Sequence, residues 1–276
     1  MRNPSGILPT FSPLLALLLF SGLCGQEGPE ITVPTGPAIS LDGTLETEEW
    51  ETAARLAMQG GGEVLLRARG PELLVGIRGA GPGFPHVALS AGDSVWILHA
   101  SAALGTITYA RNGGDRWRPV RGPVWEMRDT TLSAAARDSR EAYLEEHGWV
   151  ASTGRMGREG EAEFVIQMDR FGGRALRIAV ASLVLPRRPQ APRWPDALPD
   201  DMNHFELLGG GTPDALVFRP SGWAGLILPD GDGGHIFRPQ DASRLEKPPP
   251  HGPARLLSEC PLLLPGRDPA GLLRRR

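Results

Sequence analysis

The sequence has few cysteines, one lysine and almost no excess of charge of either sign. Its 276 residues contain two cysteines, Cys24 and Cys260, and neither lies in a Cys/His cluster with the spacing of zinc ligands. The 29 basic and 32 acidic residues leave a formal net charge of -3. This balance provides no positive field for a phosphate backbone, so the sequence gives no support to nucleic-acid binding.

Sequence motifs of common catalytic sites are also missing. The chain contains neither a Gly-x-Ser-x-Gly turn nor a glycine-rich phosphate loop, and its six histidines are scattered. Glu161 and Glu163 are two residues apart, so a strand would place both carboxylates on one face, as in a hydrolytic acid pair. A solvated sheet face explains the same spacing. We therefore predict that the protein is not an enzyme.

The first 25 residues have the composition of a secretory signal peptide. Arg2 precedes an apolar run at 14–20, and small residues follow up to Gly25. The run is too short to cross a bilayer, and no later segment reaches about 18 consecutive apolar residues. We therefore expect a protein that is periplasmic, extracellular or anchored to a membrane by a lipid on Cys24. Cleavage after Gly25 is the alternative, and it leaves no lipid anchor.

Glycine and proline are abundant, with 36 and 27 residues, and they separate short apolar runs between residues 39 and 218. In the run 63–69, Val64, Leu66 and Ala68 share one face, which is the period of two that a half-buried strand requires. Gly70 and Pro71 then allow the chain to reverse into a hairpin. Six strands are predicted in this way, at 63–69, 73–79, 94–100, 104–110, 162–168 and 176–184.

The predicted helices are few and do not alternate with the strands. Short helices are predicted at 46–55 and 133–147, which disfavours a parallel α/β fold. After residue 222, clusters of glycine and three consecutive prolines indicate a change of organisation. We predict an all-β fold, an antiparallel β-sandwich over residues 37–222, followed by a Pro/Gly-rich C-terminal extension at 223–276.

One segment carries a more specific pattern. Asp42 and Gly43 follow an apolar strand-like run, and Trp50 comes after two glutamates. This pattern resembles the N-terminal segment of the family 9 carbohydrate-binding modules, which are related to DOMON-like β-sandwich domains. The resemblance continues through 72–79, 93–96, 161–172 and 194–207, and it covers about residues 37–218. It implies a tight Asp-Gly turn and a buried Trp50 at one end of an antiparallel β-sandwich.

The function that this resemblance implies is non-catalytic carbohydrate binding, as an exported accessory to polysaccharide breakdown. Such binding depends on aromatic rings that stack on the apolar faces of pyranoses. Trp117, between two arginines after a glycine-rich turn, and Trp125, after Gly122-Pro123, are the predicted ligand-facing rings. Packing at the edge of the sandwich is the alternative for both. Trp96, within a predicted strand, is expected to pack on the sheet.

Two candidate cofactors follow from this resemblance. Some members of the family bind structural calcium, and Asp42, Asp230 and Asp232 are the candidate ligands, with ordinary acidic turns as the alternative. Exported sandwiches of related shape hold haem between Met and Lys or His. The haem candidates are Met127, Met168, Met202, His204 and Lys247. Haem-mediated electron transfer and a structural or protein-interaction role without sugar affinity are therefore the alternative functions.

Overall fold

The computed structural model describes residues 27–79, 81–114, 116–127, 133–154, 160–184, 192–195 and 216–229. Within these residues the chain forms fourteen strands and one α-helix. The strands are β1 (Glu30–Thr32), β2 (Ala54–Ala57), β3 (Gly62–Arg69), β4 (Glu72–Gly79), β5 (Gly83–Ala91), β6 (Ser94–Ala100), β7 (Ala103–Arg111), β8 (Arg116–Met127), β9 (Trp149–Thr153), β10 (Glu161–Gln167), β11 (Arg177–Val184), β12 (Arg193–Trp194), β13 (Leu216–Val217) and β14 (Ala224–Ile227). The helix, α1, spans Ala134–His147.

The described strands form two sheets. Sheet A has the order β1-β14-β11-β5-β6-β7-β8-β13, with β12 beside β11, and sheet B has the order β2-β3-β4-β10-β9. The pairing of β1 with β14 is parallel, whereas β3 with β4 and β5 with β6 are typical of the antiparallel pairs. One apolar core joins the sheets, with Val64 and Phe164 from sheet B and Leu98 from sheet A. The prediction of an all-β fold with two packed sheets is confirmed.

The six predicted strands correspond to β3, β4, β6, β7, β10 and β11, and their bounds agree to within one residue. The hairpin at Gly70 is also confirmed, with a φ of 56° at that glycine. The burial of β3 differs from the prediction, because Leu65 and Arg67 on its second face are buried as well. A segment that precedes β2 covers that face, so β3 is buried on both sides.

One of the two predicted helices is present. Ser133 caps α1 through a 3.1 Å bond from Ala136 N to its Oγ, and Gly148 ends the helix in a left-handed conformation. The helix predicted at 46–55 is wrong, because residues 47–52 form turns and β2 begins at Ala54. Pairing of β2 with β3 takes the last residues of that run into sheet B. Within the described residues, no helix is long and apolar enough to span a membrane.

The C-terminal limit of the sandwich lies beyond the predicted position. Trp223 is fully buried, and β14 lies between β1 and β11 in sheet A. The described residues after 222 therefore belong to the sandwich, which corrects the start of the extension at 223. The calcium candidates Asp230 and Asp232, and Cys24 with the rest of the predicted signal peptide, lie outside the described residues.

Candidate functional site

The Asp-Gly turn and the tryptophan of the sequence pattern meet at one buried carboxylate. Residues 39–50, called the opening segment below, lie across the outer face of sheet B. Glu163 on β10 is 0% exposed, and its Oε2 accepts hydrogen bonds from Gly43 N at 2.9 Å and Asp42 N at 3.1 Å. Its Oε1 accepts a 3.1 Å bond from Trp50 Nε1. Trp50 is fully buried, as predicted.

Burial dominates the electrostatics of Glu163. It raises the pKa of this carboxyl to about 8, although the bonds from Gly43 and Trp50 act in the opposite direction. The neighbouring Glu161 accepts a 2.7 Å bond from Arg78 Nε and a 3.1 Å bond from Leu45 N. Both glutamates thus hold the opening segment on sheet B. The predicted alternative of a solvated sheet face is wrong for Glu163.

Gly43 is required by the geometry of the turn. Its φ is +89°, and a Cβ at this position would lie 2.4 Å from the carbonyl carbon of Thr153. Asp42 Oδ1 accepts a 2.8 Å bond from Thr44 N, which is an Asx-turn arrangement. Among the described residues there is no group of three or more His, Cys, Asp or Glu side chains suited to a metal. The calcium site, with two of its candidates undescribed, stays a prediction.

Trp117 does not face solvent, contrary to the expectation that its ring contacts a ligand. It is 1% exposed, and its Nε1 donates a 3.1 Å hydrogen bond to Phe218 O. The Phe218 ring packs against it at 6.0 Å between centroids, and the Arg111 guanidinium lies 5.1 Å from the indole centroid. The ring is buried because β13 and the following residues cover this side of β8. For Trp125 the structure describes the backbone position, opposite Gly105, and not the side chain.

Trp96 is the exception among the tryptophans. The structure describes six of these side chains, and the other five are buried: Trp50, Trp117, Trp149, Trp194 and Trp223. Trp96 is partly exposed, and it packs edge-on against Phe171 with 5.4 Å between ring centroids. It therefore packs on the sheet, as expected, and also presents part of its indole to solvent. An accessible indole is the feature that sugar stacking requires.

Polar side chains lie beside Trp96 on the same side of sheet A. Thr108 of β7 is directly opposite Trp96, and Arg121 of β8 is directly opposite Thr108. Directly paired residues share a sheet face, so the three side chains form one row across three strands, called the Trp96 face below. Thr108 is partly exposed and Arg121 is exposed. The row thus combines an aromatic ring, a hydroxyl and a guanidinium.

The position of the Trp96 face follows from the unequal size of the two sheets. β6 lies against β9, the last strand of sheet B, so β7 and β8 continue past the edge of that sheet. The helix α1 covers one end of this overhang, where His147 Nε2 lies 3.0 Å from Glu126 Oε1. Trp149 Nε1 donates a 2.9 Å bond to Thr106 Oγ1 at the same end. Exposed residues on β8, such as Arg118, mark the uncovered part.

Two surface cavities lie elsewhere on sheet B, and none of their described lining residues is aromatic. The larger, about 540 Å³, lies between the opening segment and α1, with Leu74, Val150 and Val165 among its apolar residues and Arg137 and Glu141 among its charged ones. The smaller, about 440 Å³, lies between β2 and β3. Neither offers a surface on which a pyranose ring can stack.

The described residues include the side chain of one haem candidate, so a haem site cannot be assembled from them. Met168 is 6% exposed in the core, and it is the one candidate whose side chain the structure describes. A different titratable pair occurs on the outer face of sheet A, where His86 Nδ1 and His99 Nδ1 are 3.0 Å apart. Burial, together with His99, lowers the pKa of His86 well below 6.5. Haem binding therefore stays a prediction without a described site.

Comparisons with known proteins give no further guidance: no family model and no curated protein matches the sequence, and no solved structure matches the fold. Functional inference therefore depends on the geometry. The sequence did contain a signal for the Trp96 face, because Trp96 and the alternating Thr106 and Thr108 lie in consecutive predicted strands. Their arrangement in one row depends on the strand register, which composition does not provide.

Proposed function

We propose that the protein is a non-catalytic carbohydrate-binding module of the family 9 type that its sequence resembles, and that sugar binds on the Trp96 face. The observation that carries this proposal is the partial exposure of Trp96 in a row with Thr108 and Arg121. The two-sheet fold and the buried Trp50 agree with the architecture that the resemblance implies. Export and a role in polysaccharide breakdown are part of the same proposal.

The chemistry of the row suits a sugar. The apolar C–H face of a pyranose stacks on the exposed part of the Trp96 indole, because water is released from both surfaces. Thr108 Oγ1 donates to or accepts from a sugar hydroxyl, and the Arg121 guanidinium donates to hydroxyl or ring oxygens. The face is part of a sheet and not a deep cleft. Binding consequently depends on a few contacts along a polymer, and each contact has a large relative effect on affinity.

A structural or protein-interaction role without sugar affinity is the second candidate. Two observations favour it: Val120 on β8 is 64% exposed, and the 540 Å³ cavity joins an apolar floor to a charged rim. Both features suit a polypeptide partner better than a sugar. The carbohydrate-binding proposal predicts binding in a glycan screen, whereas the interaction role predicts no binding.

A glycan-array screen of the purified protein, with and without calcium, tests the proposal. Binding to at least one defined polysaccharide is expected, and Trp96→Ala should reduce it. Ile227→Ala is a matched control, because Ile227 is an exposed hydrophobic residue, 47% accessible, on β14 toward the opposite edge of sheet A. No binding by folded protein to any glycan would reject the proposal in favour of the interaction role.

A further inference from the structure

Three exposed arginines lie on β8 next to Trp96 and Thr108. They are Arg116, Arg118 and Arg121, called the arginine strip below. Arg116 and Arg118 alternate with the buried Trp117, so they point to the opposite side of the strand from that ring. Register shifts near Thr108 then bring Arg121 opposite Thr108. All three guanidiniums therefore lie on the side of sheet A that carries Trp96.

The arginine strip differs from the other arginines of the sandwich in its partners. Arg78 contacts Glu63 and Glu161 at 2.6 and 2.7 Å, and Arg111 contacts Asp93 at 3.2 Å. Considering only the described part of the chain, no ion pair involves any member of the strip. Among the residues that the structure describes, the strip is thus a line of three positive charges without an acidic partner, on a protein whose formal net charge is -3.

One member of the strip is held in place. In the amide orientation of Asn112 that satisfies its neighbours, in which the side-chain oxygen and nitrogen exchange places, the oxygen accepts hydrogen bonds from Arg118 Nε at 2.7 Å and from Nη2 at 3.2 Å. Within the described residues, no ion pair occupies the remaining N–H groups of this exposed guanidinium. An oriented guanidinium loses less conformational entropy on binding, and its planar fork matches the geometry of a carboxylate or sulfate.

We propose that the arginine strip makes the protein selective for an acidic polysaccharide, whose uronate or sulfate groups bind the guanidiniums while a sugar ring stacks on Trp96. The inference rests on the proposed function and names its ligand class. Arg116 and Arg118 are two positions apart, so their Cα atoms are separated by about 6.8 Å along the strand. Such a line of spaced charges suits a polymer with charges on successive sugars.

A glycan fits this surface better than a nucleic acid does. Double-stranded DNA carries a charge about every 1.7 Å, and proteins that bind it neutralise many phosphates with an extended basic surface. Here the formal net charge is -3, and the strip provides three guanidiniums on one strand, beside the one indole that is partly exposed among the described tryptophan side chains. A sparsely charged polysaccharide matches three guanidiniums.

The test compares polygalacturonate with its fully methyl-esterified, neutral form. The wild-type protein should bind polygalacturonate about tenfold more tightly at low salt, and added salt should remove most of the difference. The double variant Arg118→Gln/Arg121→Gln should lose this preference and retain its affinity for the neutral polymer. Arg69→Gln/Arg137→Gln is the matched control, because it removes two exposed positive charges on the other sheet and on α1.

The outcomes separate this inference from the proposed function. Equal affinity of the wild type and the strip variant for polygalacturonate would overturn the role of the strip, whereas Trp96-dependent binding of the neutral polymer would leave the proposed function intact. If the protein binds neither form of polygalacturonate and does not bind sulfated dextran, the inference is overturned. The glycan array then decides the proposed function separately. Tighter binding of a DNA oligonucleotide than of any glycan would also overturn it.

Discussion

The outer face of sheet B and the Trp96 face of sheet A use the same residue types in opposite ways. On sheet B the Arg67 guanidinium donates to two backbone carbonyl oxygens and lies 5.5 Å from the Trp50 ring centroid, and both side chains are buried. On sheet A, Trp96 is partly exposed and Arg121 has no carboxylate partner among the described residues. Tryptophan and arginine therefore stabilise the fold on the outer face of sheet B, and we propose that they bind a ligand on the Trp96 face, where the described residues give Arg121 no acidic partner.

The Asp-Gly and tryptophan pattern belongs to the outer face of sheet B. Every element of that pattern converges on Glu163, which accepts three hydrogen bonds from the opening segment. The pattern therefore specifies how the chain closes over sheet B. Substitutions on the outer face of sheet B, called the closed side below, should reduce stability. Substitutions on the Trp96 face, called the open side below, should reduce binding.

The largest expected effect on stability comes from Trp50→Ala. The substitution removes a fully buried indole and leaves Glu163 Oε1 without its donor, so the free energy of unfolding should fall by about 3–5 kcal/mol. Urea denaturation followed by circular dichroism measures the change. A loss below about 1 kcal/mol would show that the closed side does not stabilise the fold as described.

The second prediction concerns the pH dependence of the closed side. Because burial raises the pKa of Glu163 to about 8, the folded state binds more protons than the unfolded state between pH 4.5 and 8. The free energy of unfolding should therefore decrease as pH rises through this window, with a contribution from Glu163 of about 2–4 kcal/mol. Denaturation of the wild type and Glu163→Gln at pH 5 and 8.5 measures it.

Glu163→Gln should lack this contribution. It should also be less stable than the wild type at low pH, because its amide N–H group would face the backbone N–H groups that donate to the Glu163 carboxyl. Glu141→Gln, on the exposed surface of α1, is the control and should retain the wild-type dependence. Identical pH profiles of the wild type and Glu163→Gln would contradict the assignment of the titration to this carboxyl.

The third prediction is a smaller effect on stability from the open side. Trp96→Ala removes a partly exposed ring and its contact with Phe171, so the free energy of unfolding should fall by about 1–2 kcal/mol. Trp96→Phe should recover part of that loss. A loss as large as that of Trp50→Ala would place Trp96 with the closed side and remove the distinction between the two tryptophans.

The smallest expected effect on stability belongs to the arginine strip. Arg118→Gln/Arg121→Gln breaks no ion pair among the described residues, and the contact of Arg118 with Asn112 that it removes is exposed, so the effect should stay within about 0.5 kcal/mol. Thermal denaturation at two salt concentrations checks this. A larger destabilisation would show that these arginines have structural partners, and it would weaken their assignment to ligand binding.

Sequence patterns predicted the regular strands and failed where pairing depended on distant residues. The alternation in β3 is local, and it placed that strand to within one residue. β5 was missed because Pro85, His86 and Ser90 interrupt its apolar pattern. β14 was missed because it is stabilised by β1 and β11, which are far away in the sequence, and its four residues are too few to show an alternating pattern.

The same limit applies to the site residues. Trp50 was predicted correctly because its spacing from Asp42 and Gly43 is local. Trp117 was predicted to face solvent because its neighbours in sequence are arginines, whereas its cover comes from Phe218, 101 residues away. The Trp96 face could not be predicted as a unit, because the row through Thr108 depends on the register of three strands.

Isothermal titration with the polysaccharide that binds best on the array tests the location of the ligand site most directly. It would compare the wild type, Trp96→Ala, Trp96→Phe and Ile227→Ala at constant salt, with circular dichroism to verify folding. We predict affinity at least about tenfold weaker for Trp96→Ala, partial recovery for Trp96→Phe, and no change for Ile227→Ala. Equal affinity of folded Trp96→Ala and wild type would contradict this prediction.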